Sequence, residues 1–353
     1  MNQEELTLKP YSIGPLCGLL KPKYRTISTI FGEDYSPNTG LDIYLDLNTI
    51  LTAMSTSQKY LASLPFSTDA EKDIIENILK LFKHWKDYTR KWEDKVRIFM
   101  IYNNFVMKDN TCERKQLNAY LVPYENKFKH ERFQQLVYYW NEAMKVVEPL
   151  MDYIPGGYII KCNELDSFII PSVLSEEERD KLIISGSPMM TNHMFSKNTQ
   201  VAYASYRRTG MLHISDPSMI VHTLTKIESD TIDVFIRNKV FYSLLSTIIG
   251  DKDRGIIGVT QFGITTFATD LLRSIEKNEV PEDPKSVNSV LTVVDKMYHA
   301  YLEKNFPLMN VDLHKQMIPP STIEKIKASL IDKSDIDALM KYTIGDLNLM
   351  ELI

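Results

Sequence analysis

Five short apolar runs rich in β-branched and aromatic residues, separated by segments of helical length, constrain the fold of this chain most. They are LDIYLDLNTIL (Leu41 to Leu51), VRIFMIY (Val96 to Tyr102), YIIKC (Tyr158 to Cys162), KLIISG (Lys181 to Gly186) and VAYASY (Val201 to Tyr206). Runs of this kind fill strands buried on both faces, the habit of a parallel sheet covered by helices. The first reads as a strand ending near Asp46 with a helix beginning beyond it. Residues 69–92 carry Ile74, Ile75, Ile78, Leu79, Leu81, Phe82 and Trp85 at helical spacing. NELDSFIIPSVLSEEERD, between the third and fourth runs, also reads as helical. From Ile220 onward the pattern predicts helices over 231–249, 265–277, 286–304 and 321–342. Strands alternating with helices at this spacing give an α/β fold with a central, mainly parallel sheet.

The 353 residues, 44% of them hydrophobic, suit a folded chain of one large or two smaller domains and exclude a disordered tail or a collagen-like fibre. A net charge of −5 gives no average reason to expect nucleic acid, so such a role needs Lys and Arg concentrated locally. Cys17, Cys112 and Cys162 lack CxxC or Cys/His spacing, which points to a reduced, cytoplasmic setting without a zinc site. No run reaches the roughly 18 apolar residues of a membrane span, and the acidic start lacks the basic region of a signal peptide, so no membrane partner is expected. Residues 1–40, punctuated by Pro10, Gly14, Pro15, Gly18, Pro22, Gly32, Pro37 and Gly40, read as an irregular leader.

In a parallel α/β sheet, ligands bind beyond the carboxyl ends of the strands. Asp46 follows the first strand, and Glu164 and Asp166 follow the third. Converging there, they would suit Mg²⁺ or Mn²⁺, hard cations that prefer oxygen ligands. The alternative is that Asp46 caps the next helix and the other two complement a helix dipole. Gly250, Gly255, Gly258 and Gly263, four of the chain's 13 glycines, fall within 14 positions between helical stretches. This is either a turn whose backbone grips a phosphate or a plain tight turn. Between 108 and 132, Lys108, Arg114, Lys115, Lys127, Lys129 and Arg132 interleave with aromatics. Phe133, Val137 and Trp140 are assigned to packing, and Arg114, Lys115, Lys127 and Lys129 to solvent or DNA. The seven histidines show no zinc-protease pairing, and His193, near SGSPMM, is read as structural or surface rather than catalytic.

From Leu41 to Leu272 the order of these features resembles the flap endonuclease and 5′–3′ exonuclease family, which includes bacteriophage RNase H enzymes within the wider PIN-like nucleases. IYLDLNTIL resembles the family's first strand with its metal-binding aspartate, here Asp46. RKQLNAYLVPYENKFKHER resembles the basic helical arch, and CNELDSFIIPSVL the acidic helix start, giving Glu164 and Asp166. LIISGSPMMTNHM resembles the strand ending Ser-Gly-Asp-x-Asp. GDKDRGIIGVTQFGITTFATDLL resembles the helix–three-turn–helix motif that grips duplex DNA. The resemblance implies a PIN-like fold with a helical arch over about 103–150 and a helix-turn-helix over about 235–275. It divides the chain into a leader (1–40), a 5′-nuclease-like domain (41–280) and a helical extension (281–353) whose role, partner binding or packing over the sheet, stays open.

The chain also departs from that pattern. Asn103 or Asn104 stands where the family has an aspartate after the second strand, Ser167 replaces another, and Ser187 and Met189 occupy two more metal-binding positions. Asp251 is kept, but Arg254 stands where a further aspartate is expected. A hydroxyl and a thioether do not replace carboxylates around Mg²⁺. Asp46, Glu164, Asp166 and Asp251 therefore form the expected catalytic and metal set, holding one ion at most. Arg114, Lys115, Lys127, Lys129, Arg254, Gly255, Gly258 and Gly263 form the expected DNA contacts, Arg254 through a phosphate. A β-branched residue at Gly258 is expected to weaken duplex binding and spare the fold. The expected function is a binder of branched or 5′-ended DNA with weak or lost hydrolysis. The alternative is an inactive pseudo-nuclease serving as a scaffold in a viral or replication assembly.

Overall fold

The structure, a computed structural model, describes residues 31, 34–56, 95–103, 131–151, 156–162, 166–176, 178–185, 187–196, 198–206, 212–215, 239–251, 256–259, 266–267, 269–271, 273–274, 277, 291, 294–328, 343–344 and 347–348. The elements that build the sheet layer are β1 (Leu41–Asp46), α1 (Leu47–Thr56), β2 (Val96–Asn103), α2 (Glu131–Met151) and β3 (Gly157–Cys162). A 3₁₀ turn (Asp166–Ile169) then runs into α3 (Ile170–Leu174), followed by β4 (Asp180–Ile184), α4 (Pro188–Thr191), a second 3₁₀ turn (Asn192–Phe195), β5 (Thr199–Tyr206) and β6 (Leu212–Ser215). Each of the five apolar runs contains a strand, and the first passes into α1 after Asp46.

The strands lie in the order β3-β2-β1-β4-β5-β6, parallel except for β6, which pairs antiparallel with β5. The chain moves outward from β1 to β3 on one side and returns to β4 on the other, so the strand order reverses between β1 and β4. Their carboxyl ends form the crevice where open α/β sheets bind ligands. Every residue of β1 is buried, as the central strand of a sheet covered on both faces must be. Alternation puts Asp42, Tyr44 and Asp46 on one face with Arg97, Phe99 and Asn103 of β2. That face carries the stacked rings of Tyr44, Phe99 and Tyr158, with neighbouring centroids 4.8 and 5.2 Å apart. On the other face α1 packs against β2, β5 and α2.

The later helices are α5 (Lys239–Ile249), α6 (His299–Met309), α7 (Val311–Met317) and α8 (Pro320–Ala328). Short antiparallel pairs form between β7 (Gly250–Asp251) and β8 (Ile256–Ile257), and between β9 (Thr343–Ile344) and β10 (Leu347–Asn348). Leu308, Met309, Ile318 and Ile326 join the core cluster of Tyr44, Phe99 and Phe168, so residues 299–328 cover the sheet face that bears Asp42 and Asp46.

Three details differ from the sequence reading. The helix expected over 286–304 is interrupted, because Asp295 is extended and its carboxylate accepts from Met297 N at 2.9 Å, starting a new helical segment. The helix beyond it, α6, runs past 304 to Met309. The edge strand β6 was not expected at all. The helix expected over 69–92, the basic segment 104–130 and the end of the 321–342 helix lie outside the described residues.

The amino end of the sheet is held by charge. Asp42 is fully buried and accepts from Arg97 Nε and Nη2 at 2.8 and 2.7 Å and from Arg179 Nε at 2.7 Å. Arg97 also donates to Glu176 at 2.8 Å, and Arg179 Nη2 donates to the Lys95 carbonyl at 2.8 Å. The Asp42 carboxylate pushes the Arg97 guanidinium further above its ordinary range. Gly40 is required here: its φ is +129°, and a Cβ would lie 2.1 Å from Arg179 Nη1. Asp42→Asn leaves two guanidinium groups short of their counter-charge and is expected to cost about 3 kcal/mol. Urea unfolding followed by far-UV circular dichroism measures it, and a loss below about 1 kcal/mol would contradict this assignment.

Candidate functional site

The carboxyl edge at the β1–β4 reversal is built from buried polar side chains. Asp46 is the last residue of β1 and stands immediately before α1. Its Oδ2 accepts from the Ser185 hydroxyl at 2.7 Å, and its Oδ1 accepts from Thr49 N at 3.3 Å. The second bond is the geometry of a helix N-cap, meeting one of the amides that the first turn of α1 leaves unpaired. Ser185 in turn accepts from Ser187 N at 3.0 Å. One strand over, the Asn48 amide bonds the backbone of Asn103 in both directions, accepting from its N–H at 2.7 Å and donating to its carbonyl at 3.2 Å. The Cys162 thiol lies 3.6 Å from Asn103 Oδ1. Asp46 is 3% exposed, and Asn48, Asn103, Ser185 and Ser187 are similarly buried.

The remaining expected ligands are placed by backbone or not at all. Asp166 opens the 3₁₀ turn after β3 and Asp251 ends β7, but their side chains, like Glu164 entirely, lie outside the described residues. Arg114, Lys115, Lys127, Lys129, Arg254, Gly255 and Gly263 lie outside them as well. Among the described residues no group of three or more His, Cys, Asp and Glu is placed to hold a metal. At the end of β4 the donors do not suit a second Mg²⁺ or Mn²⁺: Ser187 offers only a hydroxyl, and Met189 is fully buried in the core. For a first ion, Asp46 is the single carboxylate among the described side chains of this edge.

The glycine-rich element forms an antiparallel pair. Gly250 has φ +68°, and Gly250 and Asp251 pair with Ile257 and Ile256. A Cβ on Gly258 would lie 1.8 Å from the Ile249 carbonyl oxygen, and Val259 N bonds Ile248 O at 2.9 Å. Gly258 is thus needed for close backbone approach. The expectation that a β-branched residue there spares the fold is overturned, because the clash falls on backbone that cannot move aside.

Sequence reasoning missed the polar bridges that tie this edge to the later helices. Asn192 donates to Met309 O at 2.7 Å and accepts from Ser246 Oγ at 2.8 Å, while Asn305 donates to Thr247 O at 3.0 Å. An asparagine inside an apolar helical run is the one signal that could have pointed to them. His193 is structural: it is buried, its Nε2 bonds the Phe168 carbonyl, and the Phe168 ring meets His193 and His314 edge-on.

Burial lowers the His193 pKa to about 4, against the opposing pull of the Phe168 carbonyl and with help from Lys181 and His314. The unfolded chain protonates this ring below about pH 6.5 while the folded one stays neutral down to about 4. Its contribution to stability is therefore present above that window and is lost as pH falls through it. His193→Gln keeps a donor for Phe168 O and is expected to flatten the fall in the urea midpoint between pH 7 and pH 4.5, both rough bounds of the window. An unchanged pH slope would contradict the assignment.

The chain matches no protein-family model and no curated protein. No helix among the described residues is long and apolar enough to cross a membrane.

Proposed function

We propose that this protein is a 5′-nuclease-like, PIN-like DNA-binding protein of the cytoplasm, the host's if its source is viral, that engages branched or 5′-ended DNA with phosphodiester hydrolysis weak or lost. The observation that carries the reading is the polar edge at the β1–β4 reversal, with Asp46 at its centre. It occupies the place where open α/β sheets take ligands, and neutral Asn103 or Asn104, Ser187 and Met189 stand where the resembled family has carboxylates. Arg114, Lys115, Lys127 and Lys129 would follow the phosphate backbone, with Arg254 and the turns at Gly255, Gly258 and Gly263 contacting the duplex. Any Mg²⁺ or Mn²⁺ would be a single ion shared by Asp46, Glu164, Asp166 and Asp251. The hydrogen bonds to both Asp46 oxygens favour a second reading, a pseudo-nuclease that serves as a structural subunit in a viral or replication assembly.

A gel-shift titration with a labelled 5′-flap duplex, run alongside a cleavage assay in Mn²⁺, tests the proposal. The expected result is flap binding that weakens steeply with salt, with little or no product. Absence of binding at about 50 mM salt would remove DNA as the partner. Rapid cleavage that disappears in Asp46→Ala would show hydrolysis to be intact.

A further inference from the structure

Asp46 is equipped for a different task from that of a metal ligand. It is the last residue of the central strand, and α1 has no acidic residue in its own first turn, so among the described residues the Asp46 carboxylate is the negative charge that meets the positive end of that helix. Its other oxygen receives the Ser185 hydroxyl, which fastens the end of β1 to the end of β4 where these two parallel strands have no further backbone pairing. Ser185 accepts in its turn from Ser187 N–H. To coordinate Mg²⁺ or Mn²⁺, Asp46 would have to share its oxygens with both of these bonds and admit the ion to a site where it is 3% exposed. The described neighbours along the edge, Cys162, Asn103 and Ser185, bring no second carboxylate to help hold it.

We propose that Asp46 is a positioning residue that locks the β1–β4 junction through Ser185 and the first turn of α1, and that this edge works without a divalent cation. The proposal deepens the reading above and rests on it only where DNA is concerned. A nuclease edge crowded with carboxylates needs cations before a phosphate backbone can approach. An edge whose carboxylate is already hydrogen-bonded, with neutral side chains as its described neighbours, has less need of them.

Thermal unfolding of the full chain in EDTA and in a Mn²⁺ series, without DNA, provides the test. The lock predicts that Mn²⁺ leaves the wild-type melting temperature unchanged. It also predicts that Ser185→Ala and Asp46→Ala each lower the melting temperature in EDTA by about 2 °C or more, with Asp46→Asn falling between them and wild type. A metal ligand behaves in the opposite way. Mn²⁺ would then raise the wild-type melting temperature, Asp46→Ala would abolish that rise, and in EDTA the same variant would be as stable as wild type or more so, since it relieves repulsion between carboxylates. Either a Mn²⁺ response that depends on Asp46 or an unchanged melting temperature for Ser185→Ala in EDTA overturns the proposal. Should Asp46→Ala fail to fold, Ser185→Ala and Asp46→Asn still decide it. None of these outcomes depends on whether the flap duplex binds, so failure here is separable from failure of the DNA reading.

Discussion

Two carboxylates on the central strand, Asp42 and Asp46, point to the same face of the sheet, and both must be satisfied away from water. A buried carboxylate without donors costs several kcal/mol, on the order of half the net stability of a domain. The two ends of β1 meet this demand differently. Asp42 is clamped by the guanidinium groups of Arg97 and Arg179, which join the starts of β1 and β2 to the segment leading into β4. Asp46 takes a hydroxyl from the residue after β4 and an amide from α1. The reversal of strand order around β1 is thus pinned at both ends by charge-assisted hydrogen bonds, and the apolar core of Tyr44, Phe99, Phe168 and Met189 fills the space between.

What could be read from the sequence follows from how local each determinant is. The strands were legible because β-branched runs buried on both faces need no partner to be recognised. The junction at Asp46 was legible because an acidic residue between a strand pattern and a helix pattern is a local signal, and capping was one of its two readings. β6 was not legible: Leu212, His213, Ile214 and Ser215 are too short and too polar a run to declare a strand, and pairing with β5 decides it. The helix over 286–304 failed at Asp295, whose carboxylate prefers the start of a helix to its interior. The site was half legible. Ser185 bonds Asp46 across 139 positions and Asn48 bonds Asn103 across 55, and nothing in the spacing of those residues announces either contact.

These contacts change the meaning of the substitutions at the carboxyl edge. Set against the resembled pattern, Asn103 or Asn104, Ser187 and Met189 stand where carboxylates would be expected. In place they form part of an alternative construction. The Asn103 backbone pairs with the Asn48 side chain, the Ser187 backbone N–H donates to Ser185, and the Met189 side chain fills core volume. Among the described side chains this edge carries one carboxylate, already hydrogen-bonded, which is the ground for proposing that it holds DNA without a divalent cation.

The affinity for a labelled 5′-flap duplex in EDTA, compared with that in Mn²⁺ at the same ionic strength, tests this claim most directly. An edge closed by its own hydrogen bonds predicts the same dissociation constant in both, within about twofold. A loss of affinity of about tenfold or more in EDTA, restored by Mn²⁺ in the wild type and not in Asp46→Asn, would contradict it.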